Sequence, residues 1–240
     1  EDYDTVVTKY VRHWKNIAFV SAATGEYRFD KILVAGLCRD GTVVAADGTG
    51  ELDLSGWSQV TQVKVVHDRS LTKYAVVGLR KDGKVLFSGN GYKVDDWEDI
   101  VQISGGYNHL VGLKRDGTVV SAGNNEAGQR NVQHWKDMVS VCCGAECTVG
   151  LRRNGTAAVT GEEIRELGLE NIPAWKDIIA VLNNLNRVCG IRQDGALIYT
   201  DYEVKEIKKV VKRHLFQEDE TETDYETVPL PEKILPWKLF

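Results

Sequence analysis

Between residues 97 and 135 apolar and polar positions alternate in three short runs, at 100–104, 110–114 and 118–122. A shorter fourth piece follows at 131–134 and ends at Trp135. Alternation with a period of two predicts half-buried strands. Asp116-Gly117 separates the second run from the third. That pair predicts a tight hairpin with a type I′ turn, which holds both central residues at positive φ. The stretch therefore predicts a small antiparallel sheet of four strands.

The same pattern recurs along the chain. Trp14, Trp57, Trp97, Trp135 and Trp175 each open a unit, followed by a polar pair and then an apolar or short apolar run. Each unit then carries a Gly and an apolar residue: Gly36-Leu37, Gly78-Leu79, Gly112-Leu113, Gly150-Leu151 and Gly190-Ile191. Three residues later comes the turn: Asp40-Gly41, Asp82-Gly83, Asp116-Gly117, Asn154-Gly155 and Asp194-Gly195. A period of about 40 residues with several short strands per unit predicts a β-propeller. Stacked blades cover faces that one small sheet cannot bury alone. The five Trp residues are expected to pack between blades. The Gly inside each second strand is expected where backbone must approach closely, near the axis. The predicted fold is all-β: a propeller of five short four-stranded blades over residues 1–202, with a C-terminal extension over 203–240.

Ser104-Gly105-Gly106-Tyr107-Asn108-His109, Gly112-Leu113, Asp116-Gly117-Thr118-Val119, Gly123-Asn124 and Gly128-Gln129 fall in an order that resembles the regulator of chromosome condensation repeat. The resemblance extends over about residues 5–200 and implies a propeller, typically of seven blades; here there are five units. The founding activity of that family is nucleotide exchange on a small GTPase through a wedge between strands. No matching insertion is present, so that activity is not expected here.

The units differ in length in an informative way. Units one and two carry extra residues between their first and second strands, at 24–31 and 66–73. Equivalent positions on neighbouring blades share one rim, and insertions in repeats map to a binding face. Tyr27, Arg28, Phe29, His67 and Arg69 lie there. Aromatic and Arg side chains are the types enriched at interface hot spots. Unit four has a different insertion, at 161–168, expected to be a helical connector. Residues 1–14 resemble a fourth strand without its first three, so residues 5–14 are expected to complete the last blade. Val210-Val211 are the alternative. At 203–216, Val204, Ile207, Val211 and Leu215 form a helical stripe among basic residues, which predicts a helix. An acidic stretch and an apolar tail follow. Trp237-Lys238 echoes the earlier anchors, but no Gly-Leu pair or turn comes after it.

Composition adds limits. The net charge is −5, which argues against a binder that works by neutralising nucleic-acid phosphates. No apolar run reaches the ~18 residues of a membrane-spanning helix. No signal peptide is visible. The chain begins at Glu1 and its single methionine is Met138, which implies an origin in a longer product. The five cysteines, Cys38, Cys142, Cys143, Cys147 and Cys189, have no disulfide-framework spacing. That favours a reducing compartment and a cytoplasmic location. Cys142, Cys143 and Cys147 occupy ordinary repeat positions, so structural filling outweighs metal binding. No metal site, cofactor or catalytic residue is predicted. His13 and His134 share one repeat position, and His109 takes the place of the family's His, a packing role. The expected function is a non-enzymatic scaffold that binds a protein partner through one loop face. A glycan-binding propeller is the alternative. It should repeat its site in every blade, whereas here Asn108 aligns with Glu146 and Tyr107 with Ala145. Oligomeric state is left open by the sequence.

Overall fold

The computed structural model describes residues 11–24, 32–46, 52, 54–67, 74–89, 91–161, 168–184, 187–211 and 220–235. The side chains of 23–24, 32, 67, 184, 201–211 and 220–235 lie outside that description. The strands are β1 (Ile17–Thr24), β2 (Ile32–Cys38), β3 (Val43–Ala46), β4 (Val60–His67), β5 (Tyr74–Arg80), β6 (Val85–Ser88), β7 (Ile100–Gly105) and β8 (His109–Lys114). They continue as β9 (Val119–Gly123), β10 (Met138–Cys143), β11 (Cys147–Arg152), β12 (Ala157–Gly161), β13 (Ile178–Asn184), β14 (Arg187–Arg192), β15 (Leu197–Val211) and β16 (Glu220–Leu235). They form five antiparallel sheets in chain order: β1-β2-β3, β4-β5-β6, β7-β8-β9, β10-β11-β12 and β13-β14-β15-β16. The chain is an all-β propeller of five blades.

Four blades have three strands, not the expected four. The segment expected as a fourth strand is instead a tight turn before each Trp. Trp135 N–H donates to Val132 O at 2.9 Å, and the same bond joins Trp14 to Val11, Trp57 to Leu54, Trp97 to Val94 and Trp175 to Ile172. Leu54, Val94, Val132 and Ile172 are buried. The segment buries one apolar side chain and uses its backbone locally, so it has no ladder to offer a neighbouring strand. Before Trp175 the turn is part of a 3-10 helix, Leu169–Ala174; residues 162–167 of the expected connector lie outside the described residues.

Four apolar clusters fill the four spaces between consecutive sheets. One holds Val77, Leu79 and Val85 of blade two with Trp97, Ile100 and Ile103 of blade three. The next holds Val111, Leu113 and Val119 with Trp135, Met138 and Val141. Trp57, Trp97, Trp135 and Trp175 therefore pack between blades, whereas Trp14, which opens blade one, belongs to none of these clusters. The strand Gly has a more specific reason than crowding at the axis. A Cβ on Gly36, Gly78, Gly112, Gly150 or Gly190 would stand 2.6–2.9 Å from the ring of the Trp that opens its own unit. Each Trp lies flat on bare backbone, and only Gly leaves room for it.

The turns also differ from expectation. Positive φ falls on Gly41, Gly83, Gly117, Gly155 and Gly195, and not on the Asp or Asn before them. Gly117 N–H donates to Lys114 O, and Lys114 N–H to Thr118 O. This is a three-residue loop, a type I turn closed by a left-handed Gly. The acid serves a different purpose: Asp116 Oδ1 accepts from Thr118 N–H at 2.9 Å and from its hydroxyl at 2.6 Å. Asp40 and Asn154 do the same for Thr42 and Thr156.

The C-terminal region corrects two expectations. The helix expected at 203–216 is strand up to Val211, because β15 runs on and pairs with β16 from Leu197↔Leu235 to Val211↔Glu220. Lys205 stands opposite Glu226 and Lys209 opposite Glu222. Opposite charges in register favour a ribbon, and Val204, Ile207 and Val210 suit strand as well as helix. The place beside β15 that residues 5–14 were expected to fill is taken by β16. Residues 11–14 form the turn at Trp14, and 5–10 lie outside the described residues. Val210-Val211, the alternative closing strand, lie in β15 itself.

Candidate functional site

The first strand of each blade lines the axis. Ala18, Gln62, Lys64, Gln102, Ser104, Cys142 and Leu182 contribute to a channel of about 570 Å³. Neighbouring first strands are tied by side chains. Gln62 Oε1 accepts from Ile103 N–H at 3.1 Å, and Gln102 Oε1 from Val141 N–H at 3.0 Å. Ser21 Oγ accepts from Val65 N–H and Ser104 Oγ from Cys143 N–H, both at 3.0 Å. These bonds satisfy edge amides that would otherwise face the channel. Lys64 Nζ sits 5.7 Å from the centre of the Phe19 ring.

The long hairpins of blades one and two stand on one rim. Their pairing runs to Thr24↔Ile32 and His67↔Tyr74. In blades three and four it stops earlier along the sheet, at Gly105↔Leu110 and Cys143↔Thr148. The two blades are adjacent, joined by the Ser21–Val65 bond. Tyr27, Arg28, Phe29 and Arg69 lie outside the described residues. His67 is placed by its backbone as the last residue of β4. Tyr74 opens β5 just past the second insertion, half-buried. Burial raises its phenol pKa, and the nearby Tyr107 adds to the shift. Blade three thus contributes an aromatic next to the rim. Sequence reading passed over Tyr74; its signal was its place directly after the insertion.

Cys142 and Cys143 both line the channel. Cys143 also packs between blades three and four, and Cys142 packs against the cluster of Cys147 between blades four and five. Burial pushes the Cys143 thiol up to about 12 and that of Cys142 further. Among the described residues no group of three His, Cys, Asp or Glu could hold a metal. His109 is completely buried. Its Nε2 stands 2.9 Å from Thr148 Oγ1, whose hydroxyl donates to Gln129 O at 2.7 Å. Gln129 in turn donates to Asn108 Oδ1 at 3.0 Å. The histidine links blades three and four, and it is enclosed.

Residues 100–129 match the model of the regulator of chromosome condensation (RCC1) repeat. A repeat of this kind therefore stands in blade three of the propeller. The matched stretch holds Trp97's partner Gly112, the Asp116 turn, His109 and Gln129. No curated protein matches the chain in sequence. Among solved structures, yeast RCC1 (Prp20) bound to Kap60 is similar with a TM-score of 0.58 at 13% identity, over 90% of this chain and 63% of that one. Prp20p of Saccharomyces cerevisiae gives 0.54 at 13% identity, over 75% and 56%. The CRINKLY WD40 ectodomain of the Arabidopsis thaliana receptor kinase ACR4 gives 0.57 at 18% identity, over 76% and 71%. The chain spans less than two thirds of the yeast propeller in both of its structures. At these identities the likeness establishes the fold.

Proposed function

We propose that this RCC1-repeat propeller is a non-enzymatic scaffold that binds a protein partner through the rim of blades one and two. The observation that carries the reading is the pair of extended hairpins on adjacent blades, ending at Thr24↔Ile32 and His67↔Tyr74. The Ser21–Val65 bond and the shared cluster of Leu33, Ala35, Val63 and Val65 hold their bases rigid. A rigid base lowers the ordering cost of binding. The insertions carry Tyr27, Arg28, Phe29, His67 and Arg69 in the sequence, and Tyr74, with Tyr107 near it, opens β5 just past the second insertion. One similar propeller engages proteins in two structures: yeast RCC1 (Prp20) was solved bound to Kap60, and Prp20p was characterised for binding to Gsp1p and histones. The five cysteines, whose spacing has no disulfide framework, support a cytoplasmic setting.

Affinity capture with the wild type and with a Tyr27→Ala, Phe29→Ala, Arg69→Ala variant tests the reading. The folded variant should lose a protein that the wild type retains, and a glycan array should be blank for both. A variant that keeps every partner would move the site off this rim.

A further inference from the structure

Each blade has one face toward the blade before it and one toward the blade after it. On the first face Val63, Ile103, Val141 and Val181 are 1%, 1%, 1% and 5% exposed in blades two to five. The aligned residue of blade one is Val20, and it is 49% exposed. On the second face Ala35, Val77, Val111 and Val149 of blades one to four are fully buried. The aligned Cys189 of blade five is half-buried, as are Ile191 and Leu197, whose counterparts in the other blades are buried. Leu182, on the inner strand of blade five, is 59% exposed. Its counterparts Ser21 and Ser104 bond into the next blade.

The backbone shows the same incompleteness. The turn Gly of each blade accepts from the first strand of the next: Val60 N–H to Gly41 O, Ile100 to Gly83, Met138 to Gly117 and Ile178 to Gly155, at 2.9–3.1 Å. Among the described residues, Gly195 O and Ile17 N–H stand at the two ends without this bond. Closing the chain on itself would bury both end faces, and among the described residues Val20 and Leu182 stand exposed on them. The two faces are the two halves of an interface that the molecule builds four times internally.

We propose that blade five of one copy docks on blade one of a second copy, head to tail, and continues the blade-on-blade packing between chains. A second copy is the occupant because it carries the missing half in the right form: the apolar residues of Val20's face and the Ile17 donor for Gly195 O. Such a contact is heterologous, so it closes into a ring or extends, according to the rotation it imposes.

Sedimentation velocity on the full chain over a range of concentrations tests this. The wild type should assemble as concentration rises. Val20→Asp and Leu182→Asp, both at exposed positions, should each leave a folded monomer with an unchanged melting temperature. Leu197→Asp reads the same blade-five face a second time. Mixing the Val20→Asp chain with the Leu182→Asp chain restores one competent pair of faces, so it should give a species of two chains and nothing larger. A wild type that stays monomeric throughout overturns the proposal, as does assembly of either variant alone to the wild-type extent.

Discussion

His109 is sealed between blades three and four, and the Thr148 hydroxyl commits its proton to Gln129 O. The ring nitrogen facing Thr148 must therefore donate, and the imidazole is neutral. Burial, with the nearby Arg130 charge adding to it, lowers its pKa from 6.5 to about 4. An unfolded chain takes up this proton as pH falls through 6.5, whereas the folded one resists until about 4. The stabilisation is thus complete above the unfolded value and is lost as pH falls across that window, up to about 3 kcal/mol. Asp40 and Asp116, lowered by bonds from Thr42 and Thr118, release stability only below their ordinary 3.8. Urea melts at several pH values should show a steep loss between 6.5 and 4 in the wild type and a shallower one in His109→Gln. Equal slopes would remove the histidine from the account. The packing role of His109 was legible from the family resemblance, in which it takes the place of the family's His. The conformation of Asn16, Gln59, Asp99, Asp137 and Asp177, left-handed at φ 56–59°, was not. Four of the five are Asn or Asp, which tolerate that region. Gln59 hides the pattern, and the sequence reading took the position only as one half of a polar pair.

The elements were legible wherever a single sheet decides them. The strands at 100–104, 110–114 and 118–122 stand within a residue of β7, β8 and β9 at their ends. They were misread where a neighbour decides. The expected fourth strand is a turn because Val132 is drawn into the cluster between blades. The expected helix past 203 is a ribbon because a segment about 20 residues on pairs with it, as close hairpin partners do. The turn type was misassigned because Asp-Gly alone does not reveal what packs on the Gly. A Cβ at Gly117 would meet Asp137 Cα and Met138 N of the next blade at 3.2 Å, and Gly117 O accepts from Met138 N–H at 3.0 Å. The turn is therefore also a latch between blades. Gly117→Val should destabilise by about 1–3 kcal/mol from its left-handed backbone alone, and by more through the latch. Asp116→Asn keeps an acceptor for Thr118 and should be nearly neutral. Denaturant melts compare them; if the Val variant matches wild type, the latch has no energetic weight.

At the scale of the whole molecule, the period read from Trp, Gly-Leu and Asp-Gly was enough to give the propeller and its five blades, because every unit repeats the same contact with the next. It could not give the ends. Whether Val20 is covered depends on what stands before blade one, and no local pattern encodes that. The consequence is an uneven distribution of stability. In a stack whose units touch only their neighbours, stability sums over interfaces. Blades two, three and four have two interfaces each; blades one and five have one each. Local opening should follow that count. In dilute solution, where chains are separate, amide exchange should be slowest in β5, β8 and β11, the central strands of the inner blades. It should be faster in β2 and β14, although these strands have the same place in their sheets and nearly the same sequence pattern. Equal protection in all five central strands would mean that each blade is stable by itself, and that the interfaces contribute little. If raising the concentration slows exchange in β2 and β14 and leaves β8 unchanged, the added protection comes from covering the two end faces.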